Sequence, residues 1–250
     1  MNVIGRLRTL GETRTAYVAR VAAGSHQKVL DVGCGTGAAL SALRDPGREL
    51  WGIDIDAHSL AVARNLCPDV TFVHQSAMSL PFACETFDVV VLSEVIEHVG
   101  DPNKQLVVDE VHRVLKPSGL LIFTAPYAGL LAWTDPLDVK RRLPAFYRLY
   151  ARTTGYTPQT APEIGHKHFS LDEIRRLFEN RFAIEDVQYC GLLMPFLTWT
   201  LTLGSRLHVL PRRLEELLNR FRAWESGVQY GRLLSFNVRL RARKLDARAH

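Results

Sequence analysis

Short apolar runs alternate with amphipathic stretches along the first half of this 250-residue chain. The runs Lys28–Val32, Glu49–Ile53, Val70–His74, Phe87–Leu92 and Leu120–Thr124 read as strands. Phe87–Leu92 is almost continuously apolar, as a strand covered on both faces must be. Between them, Arg8–Ala23, Thr36–Leu43, Asp56–Leu66 and a segment from Asp101 to Leu115 carry helical spacing. Asp101-Pro102 fits a capping residue followed by a first-turn proline. Lys116-Pro117-Ser118-Gly119 reads as a turn. Strands alternating with helices imply α/β architecture: a doubly wound, mostly parallel, seven-stranded Rossmann-like sheet with helices on both faces.

The rhythm stops after Pro126. Residues 127–165 hold no convincing strand but many aromatics and cations, and read as a cap or lid insertion. It resumes with Ser170 capping a helix Leu171–Asn180, then a strand Phe182–Tyr189. A second insertion, 191–230, precedes a last strand Leu234–Arg243. Val187–Ser205 has no charged residue, yet glycines and Pro195 interrupt it, which argues against a membrane span. After Pro211, Leu214, Leu217, Leu218, Phe221 and Trp224 share one side of a helix flanked by arginines. That pattern suits peripheral membrane contact, a substrate cover or a homodimer interface.

Length and composition add little beyond one large α/β domain, with elaborations, over residues 1–250. Cys34, Cys67, Cys84 and Cys190 show no paired spacing, so a reducing, cytoplasmic setting is expected. The first 27 residues lack the apolar core of a signal peptide. Charge does change the picture. From Arg206 onward 11 Lys/Arg face 4 Asp/Glu, a net of +7 against +5 for the whole chain. The basic character therefore belongs to the tail, where it favours an anionic surface or a solvated face.

The chemistry centres on Val29-Leu-Asp-Val-Gly-Cys-Gly-Thr-Gly37. A strand ends in Asp31 and breaks into Gly33, Gly35 and Gly37, which let the chain turn sharply and let a ligand approach bare backbone. A helix N-terminus follows, with free N–H groups. Asp54, about 20 residues further on, stands where a ribose-binding acid belongs. NAD fits this spacing, but a carboxylate at Asp31 would repel a pyrophosphate. It suits a ligand carrying an ammonium and a sulfonium.

Four segments together resemble the class I S-adenosylmethionine-dependent methyltransferases, of the small-molecule or lipid O-methyltransferase type that includes the ubiquinone-pathway enzymes. They are Val29–Gly37, Gly52-Ile-Asp-Ile-Asp56, Phe87-Asp-Val-Val-Val-Leu-Ser-Glu-Val-Ile-Glu-His-Val99 and Arg113-Val-Leu-Lys-Pro-Ser-Gly-Leu-Leu-Ile-Phe123. The resemblance implies S-adenosyl-L-methionine as cofactor. Asp31, Gly33, Cys34, Gly35 and Gly37 would frame its methionine end, Asp54 its ribose, and Ile55 its adenine. Leu92 and Ser93 would line the transfer side. The family's acid before Leu80-Pro81-Phe82 is absent; Ser76, Ala77 and Met78 stand in that region.

Glu94, Glu97 and His98 follow the fourth strand. If helical, that segment places Glu94 at i,i+3 and i,i+4 to the others, so the three converge. The pattern resembles metal-binding segments of small-RNA ribose methyltransferases. With His166 as a fourth ligand the set would suit Mg, Mn or Zn. His98 or His166 also suits a general base, since imidazole titrates near neutrality. The apolar second insertion implies an acceptor that is lipid-, quinone-, polyketide- or glycolipid-like. The alternatives are ribose methylation of RNA, not favoured because no RNA-binding module is visible, and a non-catalytic partner protein.

Overall fold

The computed structural model describes residues 12–24, 28–134, 143–145, 148, 152, 167–206 and 208–245. Strands β1 (Lys28–Val32), β2 (Glu49–Asp54), β3 (Thr71–His74), β4 (Phe87–Ser93), β5 (Leu115–Pro126), β6 (Phe182–Cys190) and β7 (Asn237–Lys244) form one sheet. Its order is β3-β2-β1-β4-β5-β7-β6. The pairs β1–β2, β1–β4, β2–β3 and β4–β5 are all parallel. The winding reverses beside β1, so the carboxyl ends of β1 and β4 flank the switch point where open α/β sheets take their ligands.

By its contacts the chain divides into two compact units. The first comprises Thr15–Ala125, Leu171–Val187 and Arg239–His250. It contains α1 (Arg14–Val21, but for its first residue), α2 (Ala38–Leu43), α3 (Ala57–Leu66), α4 (Lys104–Val114) and α5 (Leu171–Phe178). Alternate strand residues face opposite ways. Val29, Val89, Val91, Leu120 and Ile122 pack in one buried cluster with Tyr17, Leu40, Leu43, Leu60 and Ala63 of the first three helices. Their neighbours Leu30, Val90, Leu92, Leu121 and Phe123 are equally buried, and the Phe123 ring meets Phe178 of α5 at 5.2 Å. On α4, Val107, Val108, Val111 and Val114 form one buried stripe. Each such valine stabilises by about 1.5 kcal/mol or more on leaving water.

Two expected details differ. The segment from Asp101 opens as a 3-10 turn, Asp101–Asn103, before α4 begins at Lys104. Asp101 does not act as the cap of that α-helix; its carboxylate instead takes the Lys104 ammonium at 2.5 Å. Lys116–Gly119 is not a turn between elements but lies inside β5, where the register shifts from Phe87↔Leu115 to Val89↔Leu120. Ser118, at φ +55, absorbs the extra length as a bulge does. The expected first-helix start at Arg8 lies outside the described residues, which show α1 from Arg14.

The second unit comprises Met1–Arg14, Pro126–Ser170 and Gln188–Val238. Much of the expected 127–165 insertion lies outside the described residues. Within this unit Tyr127 bridges Phe169, and Cys190 bridges Gln229. Helices α6 (Met194–Arg206) and α7 (Arg212–Glu225) pack on each other. The buried carboxylate of Glu225, at the end of α7, accepts the Leu192 and Leu193 N–H groups at 2.5 and 2.8 Å. Those donors precede α6, where no helical carbonyl is available to them.

Candidate functional site

The site is assembled from the loops that leave the carboxyl ends of β1, β2 and β4. After Asp31, which is buried, Gly33 and Cys34 both donate to the Ile53 carbonyl, at 2.8 and 2.9 Å. The β1 loop is thereby tied to the end of β2. Gly33, Gly35 and Gly37 all take left-handed φ, at +73, +52 and +82. At Gly33 this is compounded by packing, because a Cβ there would sit inside the Val95 side chain. Around Gly35 the space a Cβ would fill is open, so its backbone is approachable.

Asp54 closes the loop from the other side. Its carboxylate accepts the Gly35 N–H and the Asp56 N–H, each at 2.8 Å. Asp56 in turn caps α3 through the N–H groups of His58 and Ser59. Ile55, next in line, is 72% exposed, an unusual position for a large aliphatic side chain beside a glycine loop. The His74 ring bonds the Ile55 carbonyl at 2.9 Å and steadies it.

Cys34 reports the local electrostatics. Burial pushes its thiol pKa far up, and the Asp31 and Asp54 carboxylates push it further. The thiol therefore stays protonated and packs as a small apolar group. The two carboxylates make the loop region electronegative, complementary to a cationic ligand and hostile to a diphosphate.

Sequence reading passed over two supports of this site. Gly52 pairs with Asp31 across β1–β2. A Cβ on it would lie 2.8 Å from Cys34 Sγ, Leu40 Cδ1 and Phe72 Cδ1 alike. The strand needs a glycine there so that the loop and α2 can close on the sheet, and a glycine inside a strand pattern is the signal for such an approach. The second support is a pair on α4. Arg113 grips Glu110 with Nε and Nη2 at 2.7 and 2.8 Å and donates to the Leu80 and Phe82 carbonyls. Glu110 also accepts the Leu80 N–H at 2.6 Å. Together they hold the Leu80-Pro81-Phe82 turn. Before it, Ser76 accepts the Met78 N–H at 3.2 Å, with Ala77 between them and Met78 partly exposed.

The end of β4 corrects the expected constellation. Glu94 is not helical: it stands at φ +57, and only Ile96–His98 form a 3-10 turn. Its carboxylate accepts the Thr124 hydroxyl at 2.7 Å, and the Thr124 oxygen lies 2.9 Å from that of Ser93. Glu97 is buried, whereas the His98 side chain is 42% exposed, with Nε2 3.9 Å from Glu97 Oε1. The left-handed residue turns Glu94 away from the shared face that an α-helix would have made. Among the described residues no group of three His, Cys, Asp or Glu side chains gathers as a metal set. His166 lies outside the described residues. Leu92 is buried in β4, and Ser93 ends the strand.

Residues 30–123 match the family described as "Methyltransferase domain". That match runs from β1 into β5 and covers under half of the chain. A demethylmenaquinone methyltransferase of Renibacterium salmoninarum is 34% identical over 143 residues, 55% of this chain and 60% of that protein. A ubiquinone biosynthesis O-methyltransferase of Histophilus somni is 34% identical over 134 residues, 50% of this chain and 56% of that protein. The chain thus spans somewhat over half the length of these curated relatives. The N-methyltransferase NodS of Bradyrhizobium japonicum, solved with S-adenosyl-L-homocysteine, superposes with a TM-score of 0.54 at 15% identity. That likeness covers 98% of this chain and 89% of NodS and concerns the fold. Among the described residues no helix is long and apolar enough to cross a membrane.

Proposed function

We propose that this chain methylates a hydroxyl of a partly hydrophobic, quinone-like small molecule, with S-adenosyl-L-methionine as donor. The observation that carries this reading is the electronegative glycine loop between Asp31 and Asp54, joined to the likeness to quinone-pathway methyltransferases. The residues present fit the cofactor. Asp31 and the backbone of Gly33, Gly35 and Gly37 would receive its methionine end, with Cys34 as packing. The oxygens of Asp54 would take the ribose hydroxyls, exchanging the Gly35 N–H for a ligand donor where needed. Ile55 and Met78 would bracket the adenine, with Ser76 and Ala77 at its edge.

When bound, the cofactor supplies an activated methyl on a sulfonium, so alignment provides much of the rate. Leu92 and Ser93 would border the transfer side. The acceptor's hydroxyl loses its proton as its oxygen takes the methyl. We assign that proton to His98, with His166 as a second base. For the expected metal set of Glu94, Glu97, His98 and His166 to hold a divalent cation, Glu94 would have to share or give up its bond to Thr124.

A tritiated-methyl transfer assay against fractionated cell extract tests the reading. Label in the lipid and quinone fraction is the expected result. Label confined to RNA would assign the ribose-methylation alternative, and no cofactor binding by calorimetry would leave only a partner role.

A further inference from the structure

The second unit carries an exposed apolar surface on α7. On α7, Leu214, Leu217, Phe221 and Trp224 are all exposed, Leu217 by 60% and Trp224 by 47%. Their spacing of three, four and three places them on one face of the helix. Leu193, just ahead of α6, and Phe196 and Leu203 on α6 are exposed as well. An exposed apolar stripe of this kind on a folded protein marks a contact. The Glu225 clamp onto the Leu192 and Leu193 N–H groups fixes the two helices to each other, so both sets ride on one rigid scaffold.

Charge decides what covers it. At 100° per residue, Arg213 and Arg220 border the α7 stripe on one side and Arg222 on the other. Arg213 and Arg220 are exposed. In an antiparallel pairing of α7 with its own copy, Arg213 and Arg220, the charges nearest the stripe, would meet their counterparts, with Glu215 and the exposed Glu216 further round the helix. A surface of lipid phosphates neutralises both edges at once, and tryptophan and arginine sit well at such an interface.

We propose that the α6–α7 pair docks this protein on an anionic bilayer, lying in the plane of the interface with the Leu214–Trp224 stripe among the acyl chains. Neither helix is long and apolar enough to cross, so the pair lies on the membrane and not through it. The surface would bring the protein to where apolar acceptors dissolve, but its operation requires neither cofactor nor acceptor.

Flotation of the full chain tests this, with vesicles of phosphatidylcholine alone and of phosphatidylcholine mixed with phosphatidylglycerol. The protein should float with the mixed vesicles, and less so as salt rises. Replacing two interfacial arginines, Arg213→Ser with Arg220→Ser, should weaken the apparent affinity by about thirtyfold. Leu217→Glu with Phe221→Glu should abolish flotation while leaving the circular dichroism spectrum and cofactor binding unchanged. The milder Leu217→Ser, at a side chain already exposed, gives a graded loss without risk to the fold. Wild-type protein remaining at the bottom of the gradient with both vesicles overturns the proposal. So does a dimer in sedimentation velocity that Leu217→Glu dissolves, since a second copy would then own this face.

Discussion

The Thr124 hydroxyl donates to Glu94 across the ends of β5 and β4, at 2.7 Å. Thr124 is buried, and Glu94 holds a left-handed backbone conformation worth roughly 1–2 kcal/mol of strain in an L-residue. The Glu94 N–H also donates to the Thr124 carbonyl at 3.0 Å. The two strands therefore over-determine the turn on which Val95 presses against Gly33. Thr124→Val keeps the shape and deletes the donor. It should cost about 1–2 kcal/mol in urea denaturation and lower the methyl-transfer rate, whereas Thr124→Ser should restore both.

Gly33→Ala challenges the same junction from the loop side. Its new methyl would collide with Val95 at a φ that disfavours any Cβ. Cofactor affinity by calorimetry should fall at least tenfold, on the order of 1.4 kcal/mol or more given strain of about 1–3 kcal/mol at such sites. Adding Val95→Ala should recover part of the loss and not all, because the backbone conformation stays unfavourable.

The Glu110–Arg113 pair predicts an acid-sensitive loop. Arg113's hydrogen bonds hold the Glu110 carboxyl below the usual carboxylate range, outweighing its partial burial. A carboxylate with a lowered folded pKa contributes stability above its unfolded value, about pH 4.3, and loses it as pH falls through the folded value. The wild-type melting temperature should therefore drop more steeply below about pH 4.5 than that of Glu110→Gln, with the two curves converging at the acid end. Parallel curves would remove the pair from the account of the Leu80-Pro81-Phe82 turn.

If His98 takes the acceptor's proton, His98→Ala should reduce kcat by roughly a hundredfold or more, the usual contribution of a positioned base. The acidic limb of the pH–rate profile should flatten with it. Binding of S-adenosyl-L-methionine should be unaffected, and a chelator should leave the wild-type rate unchanged.

The central strands β1, β4 and β5 were legible because their runs are apolar and buried on both faces, and the glycine loop because only glycine tolerates three left-handed positions so close together. What local pattern could not reveal was whatever depends on a distant partner. Lys-Pro-Ser-Gly at 116–119 has the composition of a loop, and only pairing with β4 keeps it inside a strand. Glu94, Glu97 and His98 have helical spacing, yet one residue at φ +57 redirects the first of them toward Thr124, 30 residues away. Glu110 and Arg113 look like an ordinary i,i+3 helix pair. Their other partners, the backbone of Leu80 and Phe82, lie about 30 positions back along the chain.

The four cysteines carry a practical consequence. Cys34, Cys67 and Cys190 are buried, and the Cys34 thiol resists ionisation, while Cys84 is exposed. Alkylating reagents require an accessible thiolate, so a maleimide dye should mark Cys84 first, and one label per molecule should be attainable without engineering. That thiol sits two residues past Phe82, where Arg113 reaches it at 3.9 Å. The protein thus has a native attachment point for a fluorophore on the segment beside the Leu80-Pro81-Phe82 turn, and titrations with S-adenosyl-L-methionine can be read optically in the unmodified sequence.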